Sequence, residues 1–371
     1  MLNSGFQRIF ICYFAGMKKG LSILVFTLFF FSSFGQKLKE GTEYNVICIG
    51  FYNLENLYDT IVDPDPNKIL QDDFTPKGDK RFNSERYKQK LENMAKVIAD
   101  LGTESQPDGP AVLGLCEVEN RQVLEDLVAM PAISGRKYKI AHYDSPDKRG
   151  VDVALLYQEK YFALESSRSY TLKDPAEPDF YTRDQLLVSG KLGGEPFHFM
   201  VGHWPSRRGG EKRSRPHRIM AAELGLKVMD SIRKIDPNAK IVYMGDLNDD
   251  PASYSIKRVM KAEGDVSQVE QGELYNPMEK LFDQGIGTLA WRDSWNLFDQ
   301  FICTSTLAEK DSEFNSYKIY KAKVFNAAYL KNSTGSFAGY PFRTYVGSTW
   351  QGGYSDHFPV YMYLVKEKNS K

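Results

Sequence analysis

"SDHFPVYMYL", Ser355–Leu364, sets an acid and a histidine directly before a run of alternating apolar residues. Such alternation predicts a core strand. The chain has only 5 histidines, so a titratable pair at the mouth of that strand calls for partners elsewhere. Other runs show the same arrangement. "YNVICIGFYN" (44–53) ends in Asn53, "AVLGLCE" (111–117) in Glu117, "PFHFMVGH" (196–203) in His203 and "KIVYMGD" (240–246) in Asp246. "VDVALLY" (151–157), "QLLVSGKL" (185–192) and "FDQFICT" (298–304) continue the series.

Two segments carry helical spacing instead. Leu91, Met94, Ile98 and Leu101 mark one amphipathic helix over 86–101, and Ile219, Ala222, Leu226 and Met229 mark another over 217–232. The stretches 59–83 and 264–292 read as long surface loops. Strands this apolar need cover on both faces. We therefore expect an α/β fold: a four-layer sandwich of two packed mixed sheets flanked by helices.

The N-terminus speaks to compartment. Lys18 and Lys19 precede "LSILVFTLFFF" and the small residues Ser33 and Gly35, the plan of a signal peptide starting at Met17. Leu21 to Phe31 is shorter than the roughly 20 residues of a membrane span. Residues 1–35 are read as a leader and 36–371 as a single domain, exported to a periplasmic or extracellular location with no stable membrane span after leader removal. Cleavage after Gly35 would remove Arg8, Lys18 and Lys19 and no acid, taking a chain balanced at 48 basic and 48 acidic residues to a net charge of −3. That excludes a general nucleic-acid coat but leaves room for a local basic site. Cys48, Cys116 and Cys303 sit in apolar runs and read as buried free thiols, with no zinc spacing.

If the strand ends share one rim, Asn53, Glu117, Asp246 and Asp356 form an all-oxygen set suited to Mg²⁺, Mn²⁺ or Ca²⁺. Crowded carboxylates repel unless a cation or proton intervenes. His203 and His357 add groups that hold a phosphoryl oxygen or titrate near neutrality. Together these residue types describe metal-assisted hydrolysis of a phosphate ester.

"FYNLENLYD", "GLCEVEN", "VGHWPSRRGG", "MGDLNDDP", "FDQFICT" and "GYSDHFPVY" follow one another in this order. The chain thereby resembles the endonuclease/exonuclease/phosphatase superfamily, with the fold of DNase I, from about Tyr44 to Leu364. The resemblance implies Glu117 as principal metal ligand, with Asn53 and Asp356 completing the site. It implies Asp246 as the residue that orients or deprotonates the attacking water, with Asn248 holding phosphate or that water. His357 would contact the scissile phosphate, Asp299 would orient His357, and His203 would stand on the phosphate's other side. Glu55 matches either an extra metal contact or a surface strand-end residue. Cys116 stands where many relatives have Gln, and no tyrosine matches the one that abasic-site nucleases place near the phosphate.

Between Arg207 and Arg218 six basic residues face only Glu211. Arg207 and Arg208, with Lys212 and Arg213 behind them, are expected to grip flanking phosphates, while Arg149 and Arg183 are further phosphate-contact candidates or structural ion pairs. Three readings follow: an exported Mg²⁺-dependent nuclease or phosphodiesterase, a phosphatase or phospholipase C-like enzyme on a small, inositol or lipid phosphate, and a non-catalytic binder on the same fold. The partner is nucleic acid or another phosphoester substrate. No protein partner is inferred.

Overall fold

Tyr44–Leu57 forms a 14-residue strand (β1) because both of its faces are apolar. Ile47, Ile49 and Phe51 point one way, Cys48 and Tyr52 the other, and each set enters a different core. This is a computed structural model, and it describes residues 38–65, 68, 71–310 and 313–368. The leader reading for 1–35 lies outside the described residues.

Among the described residues, one sheet has six strands in the order Lys318–Val324 (β14), Val360–Glu367 (β17), β1, Val112–Val118 (β2), Asp152–Tyr157 (β4) and Lys139–His142 (β3). A second has seven: Phe162–Tyr170 (β5), Gln185–Leu192 (β6), Glu195–His203 (β7), Ile241–Asp246 (β8), Asp299–Thr304 (β13), Leu274–Tyr275 (β10) and Ala262–Glu263 (β9). Both are mixed. β1 is parallel to β2 but antiparallel to β17, and β8 is parallel to β7 but antiparallel to β13. Two hairpins, Leu289–Trp291 (β11) with Ser294–Asn296 (β12) and Tyr345–Val346 (β15) with Thr349–Trp350 (β16), stand apart from the sheets.

The sheets pack face to face through Phe51, Phe199, Met244 and Phe301. Gly114 permits the close approach, since a Cβ there would lie 2.6 Å from Met244 Sδ. Helix Ser84–Asp100 (α1) covers the outer face of the first sheet with Met94, Ala95 and Ile98, alongside Arg121–Val128 (α2) and Pro131–Ser134 (α3). Helix Glu211–Arg233 (α4) covers the second through Ala222 and Met229. The expected four layers are thus present. No described helix is long and apolar enough to cross a membrane, and Cys48, Cys116 and Cys303 are free and buried.

Two expectations need correction. The second helix begins at Glu211 and not at 217, with Pro216 inside it. Glu211 holds Arg215 at 2.7 Å and Arg218 at 3.3 Å, one and two turns on, so paired charges hold a start that the proline argues against. The stretch 264–292 is not all loop: it contributes β10, a short helix Glu279–Asp283 and β11. β5 went unread because its faces are mostly exposed, leaving no apolar alternation to see.

Candidate active site

The two cores explain why polar side chains converge at one rim. Inward residues of β1 run 47, 49, 51; those of β7 run 197, 199, 201; those of β8 run 242, 244; those of β13 run 303, 301. One further step of two along each strand reaches Asn53, His203, Asp246 and Asp299. The registers align them, with His203 opposite Asp246 and Asp246 opposite Asp299. The site is the inter-sheet core continued into polar residues.

Asp246 is its centre. Its Oδ2 accepts from Asn53 Nδ2 at 3.1 Å and lies 3.6 Å from His203 Nε2 and 3.9 Å from His357 Nε2. Its Oδ1 accepts the Asn248 backbone N–H at 3.0 Å. Burial pushes the Asp246 carboxyl up to about 6, with His357 pulling it down and Asp299 adding to the rise. Asn248 sits at φ +50°, a turn that also lets its amide donate to Trp204 O.

The two histidines are held in opposite states. His357 Nδ1 meets Asp299 Oδ2 at 2.7 Å. Desolvation works against a charge there, but Asp299 and Asp246 outweigh it and hold His357 well above the usual imidazole range. His203 is held well below that range by burial, then by Arg183, Arg149 and His357.

Glu117 reaches the site through a break in β2. The register shifts between Cys116 and Val118, and Glu117 takes φ +60°, turning its side chain to the rim. Its Oε2 accepts from Asn56 N at 3.0 Å, while Oε1 faces Arg149 at 3.2 Å and His203 at 3.8 Å. Cys116, one residue before, is fully buried in the inter-sheet core. Asn53 is gripped at both ends, since its Oδ1 accepts from Glu55 N at 2.9 Å.

Asp356 follows Ser355, whose hydroxyl donates to Asn53 O at 2.7 Å, and is joined to Arg343 at 2.7 Å. Arg343 also binds Glu55 at 3.2 Å, so Glu55 is a buried partner and not a surface residue. Burial, then Asp356, push Glu55 up to about 7 against Lys90 and Arg343. Lys90 is fully buried and donates to Thr344 Oγ1 and Tyr354 O. Sequence reading missed both cations. Lys90 had a signal, because it stands one turn from Met94 on the apolar face of α1; Arg343 in "YPFRTY" had none.

The basic candidates divide. Arg149 stays at the site on Glu117. Arg183 takes the ion-pair alternative: it is buried, paired with Asp147 at 3.2 Å, and donates to His203 O and Trp204 O, which fixes the His203 backbone. Arg207 is also paired within the chain. It binds Asp249 at 3.0 Å, Asp250 at 3.2 Å and Asn248 O, over the Phe298 ring. Asp249, unremarked in the sequence, is also tied to fully buried Arg218 at 2.8 Å. Arg208, Lys212 and Arg213 are exposed.

The donor set answers whether a cation fits. Glu117, Asp356, Asp246 and Glu55 offer carboxylate oxygen and Asn53 a carboxamide, with the Glu55 and Asp246 carboxyls displaced upward chiefly by burial. That chemistry fits a hard divalent ion.

A model described as the endonuclease/exonuclease/phosphatase family matches residues 48–366. Among solved structures the fold is similar to an endonuclease/exonuclease/phosphatase family protein from Bacteroides thetaiotaomicron (TM-score 0.52, 17% identity, 88% of this chain and 97% of that one). It is also similar to a mannosyl-6-phosphatase of the same organism (0.51, 17%, 86% and 99%). A third is truncated Caenorhabditis elegans TDP2 (0.50, 17%, 86% and 97%). At these identities the likeness concerns fold alone. No curated protein matches the chain.

Proposed function

Because the chain belongs to the endonuclease/exonuclease/phosphatase family, we propose that it is an exported divalent-metal-dependent phosphodiesterase of the nuclease kind. The observation that carries this is the meeting of three side chains on one oxygen: Asn53, His203 and His357 lie 3.1, 3.6 and 3.9 Å from Asp246 Oδ2.

Glu117, Asp356 and Asn53 would hold Mg²⁺ or Mn²⁺, which when bound supplies charge neutralisation at the phosphate. Asp246, near 6, takes the proton of the attacking water at neutral pH. Cationic His357, backed by Asp299, donates to a phosphoryl oxygen as charge builds there. His203, neutral, hydrogen-bonds the leaving oxygen from Nε2 as the old P–O bond breaks, and that oxygen takes its proton from solvent water.

A small phosphoester substrate is the second reading. It is favoured by Arg207, whose guanidinium is committed to Asp249 and Asp250, leaving a thinner grip for a polyanion. The test is hydrolysis of DNA, RNA, a small phosphodiester, sphingomyelin and sugar phosphates, with Mg²⁺ and with EDTA. Metal-dependent cleavage of nucleic acid above the small esters supports the first reading. Cleavage of monoesters alone replaces it with the second, and turnover in EDTA sinks both.

A further inference from the structure

Beside Asp356 lies a cleft of about 520 Å³ built from three separate segments: the β11–β12 hairpin, residues 332–343 and the β15–β16 hairpin. Its walls are aromatic. Trp291 is 66% exposed and Phe337 58%, though they come from different loops, and Tyr340 and Phe342 line the space between. Large aromatic faces left open on converging loops mark a binding surface, and the volume falls in the range of small-ligand clefts.

The wall is packed ring on ring and continuous with the candidate active site. Phe358 follows His357, Trp295 stacks on Phe358 at 6.0 Å, and Tyr340 packs its edge on Trp295 at 5.8 Å. The Tyr340 hydroxyl is anchored on Asp293 at 2.7 Å. Arg343 and Asp356 form the floor on the side of the metal-binding candidates. The Arg292 guanidinium lies 5.5 Å from the Trp291 ring centre, so that ring already shows that it accepts a flat cation against its face.

We propose that this cleft receives a nucleobase joined to the phosphate undergoing hydrolysis, as a substrate subsite. This rests on the phosphoesterase reading and deepens it. A planar ring with a π-face and polar edges suits aromatic walls interrupted by Arg292, Asp293 and Arg343. An acyl chain would desolvate those charges with nothing in return. A paired, stacked base cannot enter, so the cleft selects single-stranded or frayed ends.

The experiment compares two ligands on the Mg²⁺-loaded full chain: the methylenephosphonate analogues of adenosine 5′-monophosphate and of ribose 5-phosphate, whose P–C bonds resist hydrolysis. The base-bearing ligand should bind roughly 10- to 100-fold tighter, the usual worth of one base–aromatic stack. Replacing both exposed rings (Trp291→Ala with Phe337→Ala) should bring the two constants to within about 3-fold of each other by removing that stack. The ribose ligand should be unaffected. Equal affinities in the parent, or a double variant that loses both ligands alike, overturn the subsite. The phosphoesterase reading fails separately, by absence of metal-dependent hydrolysis while the base preference persists.

Discussion

Asp299 Oδ2 stands 2.7 Å from His357 Nδ1, while the ring's other nitrogen faces Asp246 Oδ2 at 3.9 Å. One carboxylate thus fixes the imidazole and leaves the opposite N–H free to donate. His357→Ala should cut turnover by about 100-fold, as loss of a preorganised donor does. Asp299→Asn should leave the ring in place but lower its pKa, so that its activity falls at a lower pH than in the parent. Turnover against pH for both variants reads this, and an unchanged profile for Asp299→Asn would remove Asp299 from the mechanism.

The two buried imidazoles should act on stability in opposite pH windows. His357 is raised in the folded chain. Its contribution is complete below the unfolded value of about 6.5 and is lost as pH climbs through the folded pKa. His203 is lowered. The unfolded chain therefore takes up its proton first, and stability falls as pH drops below about 6.5. Urea midpoints of His203→Gln and His357→Gln in EDTA, followed from pH 5 to 9, should show the acid-side loss reduced in the first. The alkaline-side loss should be reduced in the second.

Metal dependence should track Glu117. EDTA should abolish hydrolysis and Mg²⁺ or Mn²⁺ restore it. Glu117→Gln should raise the Mg²⁺ concentration needed for half-maximal rate by about tenfold or more, since one hard charged ligand is lost. Its far-ultraviolet dichroism should match the parent. Equal Mg²⁺ requirements in the two proteins would move the metal elsewhere.

The cations divide into two testable sets. Arg183→Met should lower stability by up to about 3–5 kcal/mol, because it takes the 3.2 Å partner from buried Asp147 and leaves it Arg149 Nε at 3.7 Å. Neutralising exposed Arg208, Lys212 and Arg213 together should change stability by no more than about 0.5 kcal/mol. On DNA that triple change should flatten the salt dependence of binding, with fewer counterions released. On a small phosphodiester it should do nothing. Equal salt slopes on both substrates would favour the small ester.

Lys90 offers a test of buried polarity beside Glu55. Lys90→Met removes two hydrogen bonds from a buried ammonium and leaves the Thr344 hydroxyl on Tyr354 O at 3.2 Å, which should cost about 1–3 kcal/mol in all. Urea unfolding in EDTA measures it. A neutral result would show that Glu55 and Arg343 suffice to order the segment from Arg343 to Asp356.

Residue pattern alone was enough to set the layers and the rim. Each strand with two apolar faces demanded cover on both sides, and a polar residue closing each apolar run marked where the core ends. Asn53, His203 and Asp246 could be named from period and position alone, because alternation is a local property of the chain. Tertiary structure decided which charges are free. Arg207 and Arg208 are neighbours in one basic run, yet only Arg208 stays exposed, because the loop after β8 brings Asp249 and Asp250 to Arg207. Glu55 and Asp356 lie about three hundred residues apart and share Arg343 only because β1 and β17 pair edge to edge. Periodicity reports which face a residue turns to the core. It carries no information about which distant charge will be waiting there, because ion pairing depends on a separation in space that chain connectivity does not encode.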